Sequence, residues 1–124
     1  MTKTALTDLQ LSVMKALWSI GEGSVAEVLT AMAGDGKTLA PTTVATLLQR
    51  LNNQGWVQCH RSGRQLVYQA RVDRREAANG ALRRVVRAFF GGSISAVTAQ
   101  LLESEQLTPT ELEAMRRLIT IKEG

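Results

Sequence analysis

Apolar residues recur at three- and four-residue spacing along most of the chain, the period of an amphipathic helix. Leu9, Val13, Leu17 and Ile20 predict a first helix over residues 7–20, with that stripe turned to the core. Val25, Val28, Leu29 and Met32 predict a second over 24–33, and Val44, Leu47, Leu48 and Leu51 a third over 41–54, ending before Gly55. The period then changes. Residues 56–61 and 65–71 form two short runs holding the β-formers Val57, Leu66, Val67 and Tyr68, with the turn residues Ser62-Gly63-Arg64 between them. Helical spacing returns over residues 73–90, 93–102 and 108–121.

The punctuation agrees with the periods. Thr7-x-x-Gln10, Ser24-x-x-Glu27, Asp73-x-x-Glu76 and Thr108-x-x-Glu111 read as capping boxes or their Asp-led equivalent, each closing two orphan amides at a helix start. Leu6 with Leu11 and Leu107 with Leu112 add hydrophobic staples, and Pro109 suits a first helical position. Gly21 and Gly23 end the first helix, Gly34-Asp35-Gly36 forms a loop, and Gly91-Gly92 parts the fourth helix from the fifth. Three helices, a two-stranded hairpin, then three more helices is a mainly α architecture. Its first part has the order of a winged helix-turn-helix, with the hairpin as the wing. The expected division is residues 1–72 for that module and 73–124 for a helical dimerisation region.

Charge sharpens this picture. Of fifteen Lys and Arg and eleven Asp and Glu in the 124 residues, nine bases and five acids fall in residues 1–75. The net charge of +4 therefore belongs to the first part and the remainder is neutral. A basic module joined to a neutral one fits a polyanion-binding domain with a protein-contacting appendage. No apolar run approaches a membrane span, residues 1–6 lack the pattern of a leader, and the lone Cys59 precludes an internal disulfide; these point to the cytoplasm. Catalysis finds no support. The single His60 adjoins Cys59 on a strand, where neighbours point to opposite faces, and nothing resembles a phosphate loop, a cofactor motif or a metal-ligand cluster.

The third helix carries the function. At 100° per residue from Thr42, the apolar positions Val44, Leu47, Leu48 and Leu51 fall at about 140–240°. Thr42, Thr43, Thr46, Gln49, Arg50 and Asn53 cluster on the opposite side, without a carboxylate. An ordinary solvated face mixes Glu and Lys. This one offers hydroxyls, methyls, amides and a guanidinium, the groups that meet phosphates and base edges, and a carboxylate among them would face phosphate. Arg61 and Arg64 flank the wing tip, where they suit contact with a phosphate backbone.

These residues bear a family resemblance. Leu6-Thr-Asp-Leu-Gln-Leu-Ser-Val-Met-Lys-Ala-Leu-Trp18 resembles the opening helix of the penicillinase and methicillin-resistance repressors, the BlaI/MecI/CopY type. Thr42-Thr-Val-x-Thr-Leu-Leu-x-Arg-Leu51 followed by Gly55 is similar to their recognition helix, and Arg64-x-x-x-Tyr68 to their wing. Phe89-Phe-Gly-Gly-Ser93 and residues 108–118 resemble their C-terminal part. The resemblance implies a homodimeric repressor whose winged helices read an inverted-repeat operator in double-stranded DNA. It implies DNA-facing roles for Thr42, Thr43, Thr46 and Arg50, and for Arg64 in the wing. Ala45 and Gln49 stand where the family often has Lys, so some phosphate contacts are expected to be lost or moved. Gln100-Leu101 replaces the Asn-Phe bond cleaved in antibiotic-responsive members, which leaves an upstream protease sensor open as a partner. The tail lacks the Cys-x-Cys of copper-responsive members.

The C-terminal stripes supply the expected dimer contact. Leu82, Val85, Val86 and Phe89, with Phe90 beside them, form one. Ile94, Val97 and Leu101 form a second, and Leu112, Met115 and Ile119 a third. Three short helices cannot bury such stripes well on one protomer, whereas a two-fold axis can. Three readings compete with the repressor: a winged-helix protein–protein module without DNA binding, a thiol-responsive regulator using Cys59, and a DNA-binding direct ligand sensor, a weaker reading because so short a chain shows no pocket-forming insert.

Overall fold

The computed structural model describes residues 5–104 and 107–123. The expectation for residues 1–6 thus falls mostly on residues 1–4, outside the described residues. Six helices and three strands follow in order: α1 (Asp8–Ile20), β1 (Glu22–Gly23), α2 (Val25–Gly34), α3 (Pro41–Asn53), β2 (Val57–Ser62), β3 (Gln65–Ala70), α4 (Arg74–Phe90), α5 (Ile94–Glu103) and α6 (Pro109–Glu123). The chain divides into two compact units, Met1–Ala81 and Leu82–Gly124. Helix α4 runs through the division. No single helix among the described residues is long and apolar enough to cross a membrane.

The helix starts fall where the sequence predicts them, but among the described residues only two of the four boxes close in full. Thr7 and Gln10 close a complete capping box at α1, and Ser24 and Glu27 another at α2. Asp73 accepts from the Glu76 amide at 2.8 Å, and Thr108 from the Glu111 amide at 3.2 Å. Each satisfies one donor that the helix cannot satisfy itself.

The sheet differs from the expected two-stranded wing. It has three strands in the order β1-β3-β2, all antiparallel. Glu22 and Gly23, read from sequence as the end of a helix, pair with Gln69 and Tyr68. A side chain at Gly23 would crowd the flanking helices rather than β3: a Cβ there would lie 2.8 Å from Ile20 Cδ1 and 3.1 Å from Glu27 Cβ.

The core of the first unit joins α1, α2, α3 and the inner face of the hairpin. Val13, Met14, Leu17, Val28, Met32, Val44, Leu48, Leu51 and Val57 are fully buried, with Trp56, Tyr68 and Val72 beside them. The first stripe needs correction. Val13 and Leu17 are buried, but Leu9 and Ile20 are exposed, and Gln10, Met14 and Ala16 take the inner positions. Gln10 can sit inside because its amide is satisfied, accepting from Thr7 N at 3.0 Å and donating to Gln54 Oε1 at 3.2 Å. Trp18 ties α1 to the exit of the sheet by donating to Val72 O at 2.9 Å.

Candidate nucleic-acid interface

Helix α3 divides cleanly into an anchored side and an open side. Val44, Leu47, Leu48 and Leu51 are buried, while Thr42, Thr43, Thr46, Gln49, Arg50 and Asn53 are all exposed. The six polar residues picked from sequence therefore share one solvent face, held rigid by the core behind it. Ala45 is half-buried at the edge.

The hydroxyls on this face are not equivalent. Thr46 Oγ1 donates to Thr42 O at 2.9 Å. Its proton is committed to the helix backbone, so Thr46 presents an acceptor oxygen and a methyl group. That suits a base amino group or a thymine methyl better than a phosphate, which has only acceptor oxygens.

The start of α3 carries a second feature, which the sequence reading missed. Its N-cap is Ala40, with no side-chain cap, and no acid occupies the first turn. Pro41 has no N–H, and Thr43 and Val44 donate to Ala40 O at 3.0 and 3.2 Å. Among the described residues the Thr42 amide has no acceptor, which leaves a donor at the positive end of the helix, a place suited to an anion. The signal was present in the sequence as Ala40-Pro41, where α1 and α2 have Thr and Ser as caps.

The wing is a tight hairpin. Ser62 pairs with Gln65, so Gly63 and Arg64 alone make the loop. Gly63 has φ +63°, the conformation a type II′ hairpin turn needs at its first central position. Arg61 and Arg64 are exposed. The register places Arg61 opposite Leu66, which is 45% exposed, on the face that bears Cys59 and Tyr68 nearer the core. His60 points to the other face, opposite Val67. Tyr68 sits beside Cys59, and burial first, then the Cys59 thiol, pushes its phenol above the usual range. Among the described residues no group of three or more His, Cys, Asp or Glu is placed to hold a metal.

The expected dimerisation residues, with α4 crossing into the second unit, are unevenly covered. Val86 is buried, and Phe90, Val97, Leu112 and Met115 are half-buried. Leu82, Val85, Phe89, Ile94, Leu101 and Ile119 are exposed, Phe89 by 79% and Ile94 by 67%. Leu102, Leu118 and Ile121, outside the expected set, are exposed as well.

A helix-turn-helix whose third helix turns a carboxylate-free polar face to solvent, beside a basic-tipped wing, defines a winged-helix DNA-binding transcription regulator. Residues 6–121 match the family model described as penicillinase repressor, and the chain belongs to that family. It is 25% identical over 114 residues to the penicillinase repressor of Bacillus licheniformis, covering 92% of this chain and 88% of that protein. It is 24% identical over 117 residues to an uncharacterized 16.5 kDa protein from the ptsI 3′ region of Latilactobacillus sakei, covering 94% and 80% respectively. The solution structure of the DNA-binding domain of the repressor BlaI superposes with a TM-score of 0.51 at 30% identity, over 60% of this chain and 92% of that one. The monomeric form of Bacillus licheniformis BlaI in complex with the blaP half-operator gives 0.50 at 30% identity, over 59% and 88%.

Proposed function

We propose that this protein is a transcriptional repressor that binds an inverted-repeat operator in cytoplasmic double-stranded DNA as a homodimer. Residues 41–54 enter the major groove and the wing lies on the phosphate backbone. Residues 1–72 serve DNA and residues 73–124 hold the dimer. The observation that carries this reading is the exposed face of α3, six hydrogen-bonding residues and no carboxylate over a buried apolar side. Thr42 and Thr43, with the open helix start, suit phosphate; Thr46, Gln49 and Asn53 suit base edges. Arg50 reaches either, and Arg61 and Arg64 hold the backbone. The relative solved on a half-operator supports the same use of the module.

The test is an anisotropy titration against DNA from the promoter of its own gene. Affinity falls steeply with salt, with a slope of about −0.9 per phosphate neutralised. Arg50→Ala weakens binding by about 1–3 kcal/mol, with relaxed specificity if Arg50 reads a base and a uniform loss if it holds phosphate. Salt-independent binding overturns the proposal, and full affinity in the variant removes Arg50 from the site.

A further inference from the structure

A groove of about 860 Å³ opens on the first unit, lined by α1, the segment after α2 and the start of α4. Its chemistry is unlike that of the α3 face. Lys15, Lys37 and Arg74 line it together, and no ion pair engages any of the three among the described residues. Two carboxylates share the groove, Asp35 and Asp73. Asp73 already accepts from the Glu76 amide as the cap of α4. Ser12 is likewise committed, donating to Asp8 O at 3.1 Å. The lining is otherwise polar, with one fixed aromatic surface: the Trp18 ring is half-buried and pinned through Nε1 to Val72 O, while Met32 beneath it is buried.

Three unengaged cations beside a pinned, half-exposed indole suit a flat organic anion. An aromatic ring stacks on an indole, and a carboxylate takes charge-assisted hydrogen bonds from Lys and Arg. We infer that this groove binds a small aromatic carboxylate and that its occupancy regulates DNA binding. The route is short. Lys37 lies in the loop that leads to Ala40, the N-cap of α3, and the Lys37 amide fastens that loop by donating to Met32 O at 2.9 Å. A ligand that draws on Lys37 acts on the segment that sets where the recognition helix starts. Ligand binding is independent of the DNA reading; only the regulatory half rests on it.

The experiment uses the full chain and benzoate, with benzamide as the neutral control. The Trp18 indole N–H is followed by ¹⁵N NMR, and the buried Trp56 indole is the internal reference. Benzoate shifts the Trp18 signal saturably with a Kd of about 1 mM, the weakness expected of so small a ligand, and benzamide leaves it unmoved. Lys15→Ala with Lys37→Ala weakens benzoate about tenfold. Both side chains are exposed, and an unchanged melting curve shows that the fold is intact. No saturable shift, or equal response to benzamide, overturns the site. An unchanged Kd in the folded double variant overturns the assignment of the cations. Saturating benzoate changes operator affinity in the parent and not in the double variant; binding of benzoate with no change in operator affinity overturns the regulatory half and leaves the site.

Discussion

Leu48 and Gln49 are neighbours in sequence and opposites in role. Leu48 is fully buried under α3 and Gln49 stands on its exposed face. Leu48→Ala removes a packed side chain and leaves a cavity, so it destabilises by about 2–5 kcal/mol in urea unfolding. Gln49→Ala changes stability by no more than about 0.5 kcal/mol, and its effect is read as altered operator preference. Equal loss of stability in both would show that the face is not free. The division between these two residues was legible in the sequence because it follows from the helical period alone. Other residues were not. Gln10 occupies an inner position on α1 that a hydrophobic pattern assigns to Leu9, because its burial depends on a hydrogen bond to Gln54, 44 residues away. The bond from Thr46 to Thr42 O depends on a rotamer and was equally hidden, although it decides what Thr46 can offer to DNA.

The helices differ most at their starts. α1 and α2 carry closed capping boxes, whereas α3 begins at Ala40 without a side-chain cap. Ala40 has φ −69° and ψ 146°, the extended geometry in which a capping side chain reaches the first turn. Ala40→Asp therefore stabilises the protein by about 0.5–1 kcal/mol and weakens DNA binding, since the carboxylate takes the amides and meets phosphate with like charge. Thermal melting and an operator titration should move in opposite directions; a variant that gains both stability and affinity would contradict an anion-binding role for this end. Ser24→Ala is the converse case. It breaks a closed box and loses about 1 kcal/mol without touching the DNA face. Elements were legible wherever their signals were local, as at the caps and the Gly63 turn. Strand β1 was not, because Glu22 and Gly23 become a strand only by pairing with Gln69 and Tyr68 of β3, far along the chain.

Across the whole molecule, the two units place different demands on the same chain. The first is a filled core with a polar reading face; the second leaves Leu82, Val85, Phe89, Ile94, Leu118 and Ile121 exposed in a single protomer. A protomer that spends so much apolar surface on water gains by pairing, and two-fold symmetry doubles the gain because the same side chain is buried in both copies. One module on one half-site also binds weakly, whereas two modules held about 34 Å apart, or at a multiple of that, engage successive turns of the duplex together. Phe89→Asp tests both consequences. At 79% exposure Phe89 contributes little to the fold of its own protomer, so helical content and the melting of the first unit should be unchanged. In a dimer, two phenyl groups worth about 1.5–3 kcal/mol each leave the interface and two carboxylates enter it, so the dimer dissociation constant rises on the order of a hundredfold or more. Sedimentation then shows monomer under conditions where the proposed homodimer is the form expected of the parent. Affinity for the full inverted repeat drops to that for a half-site, while affinity for an isolated half-site stays as it was. A variant that remains dimeric, or that loses half-site binding as well, would mean that Phe89 serves the reading head itself and not the pairing of two copies.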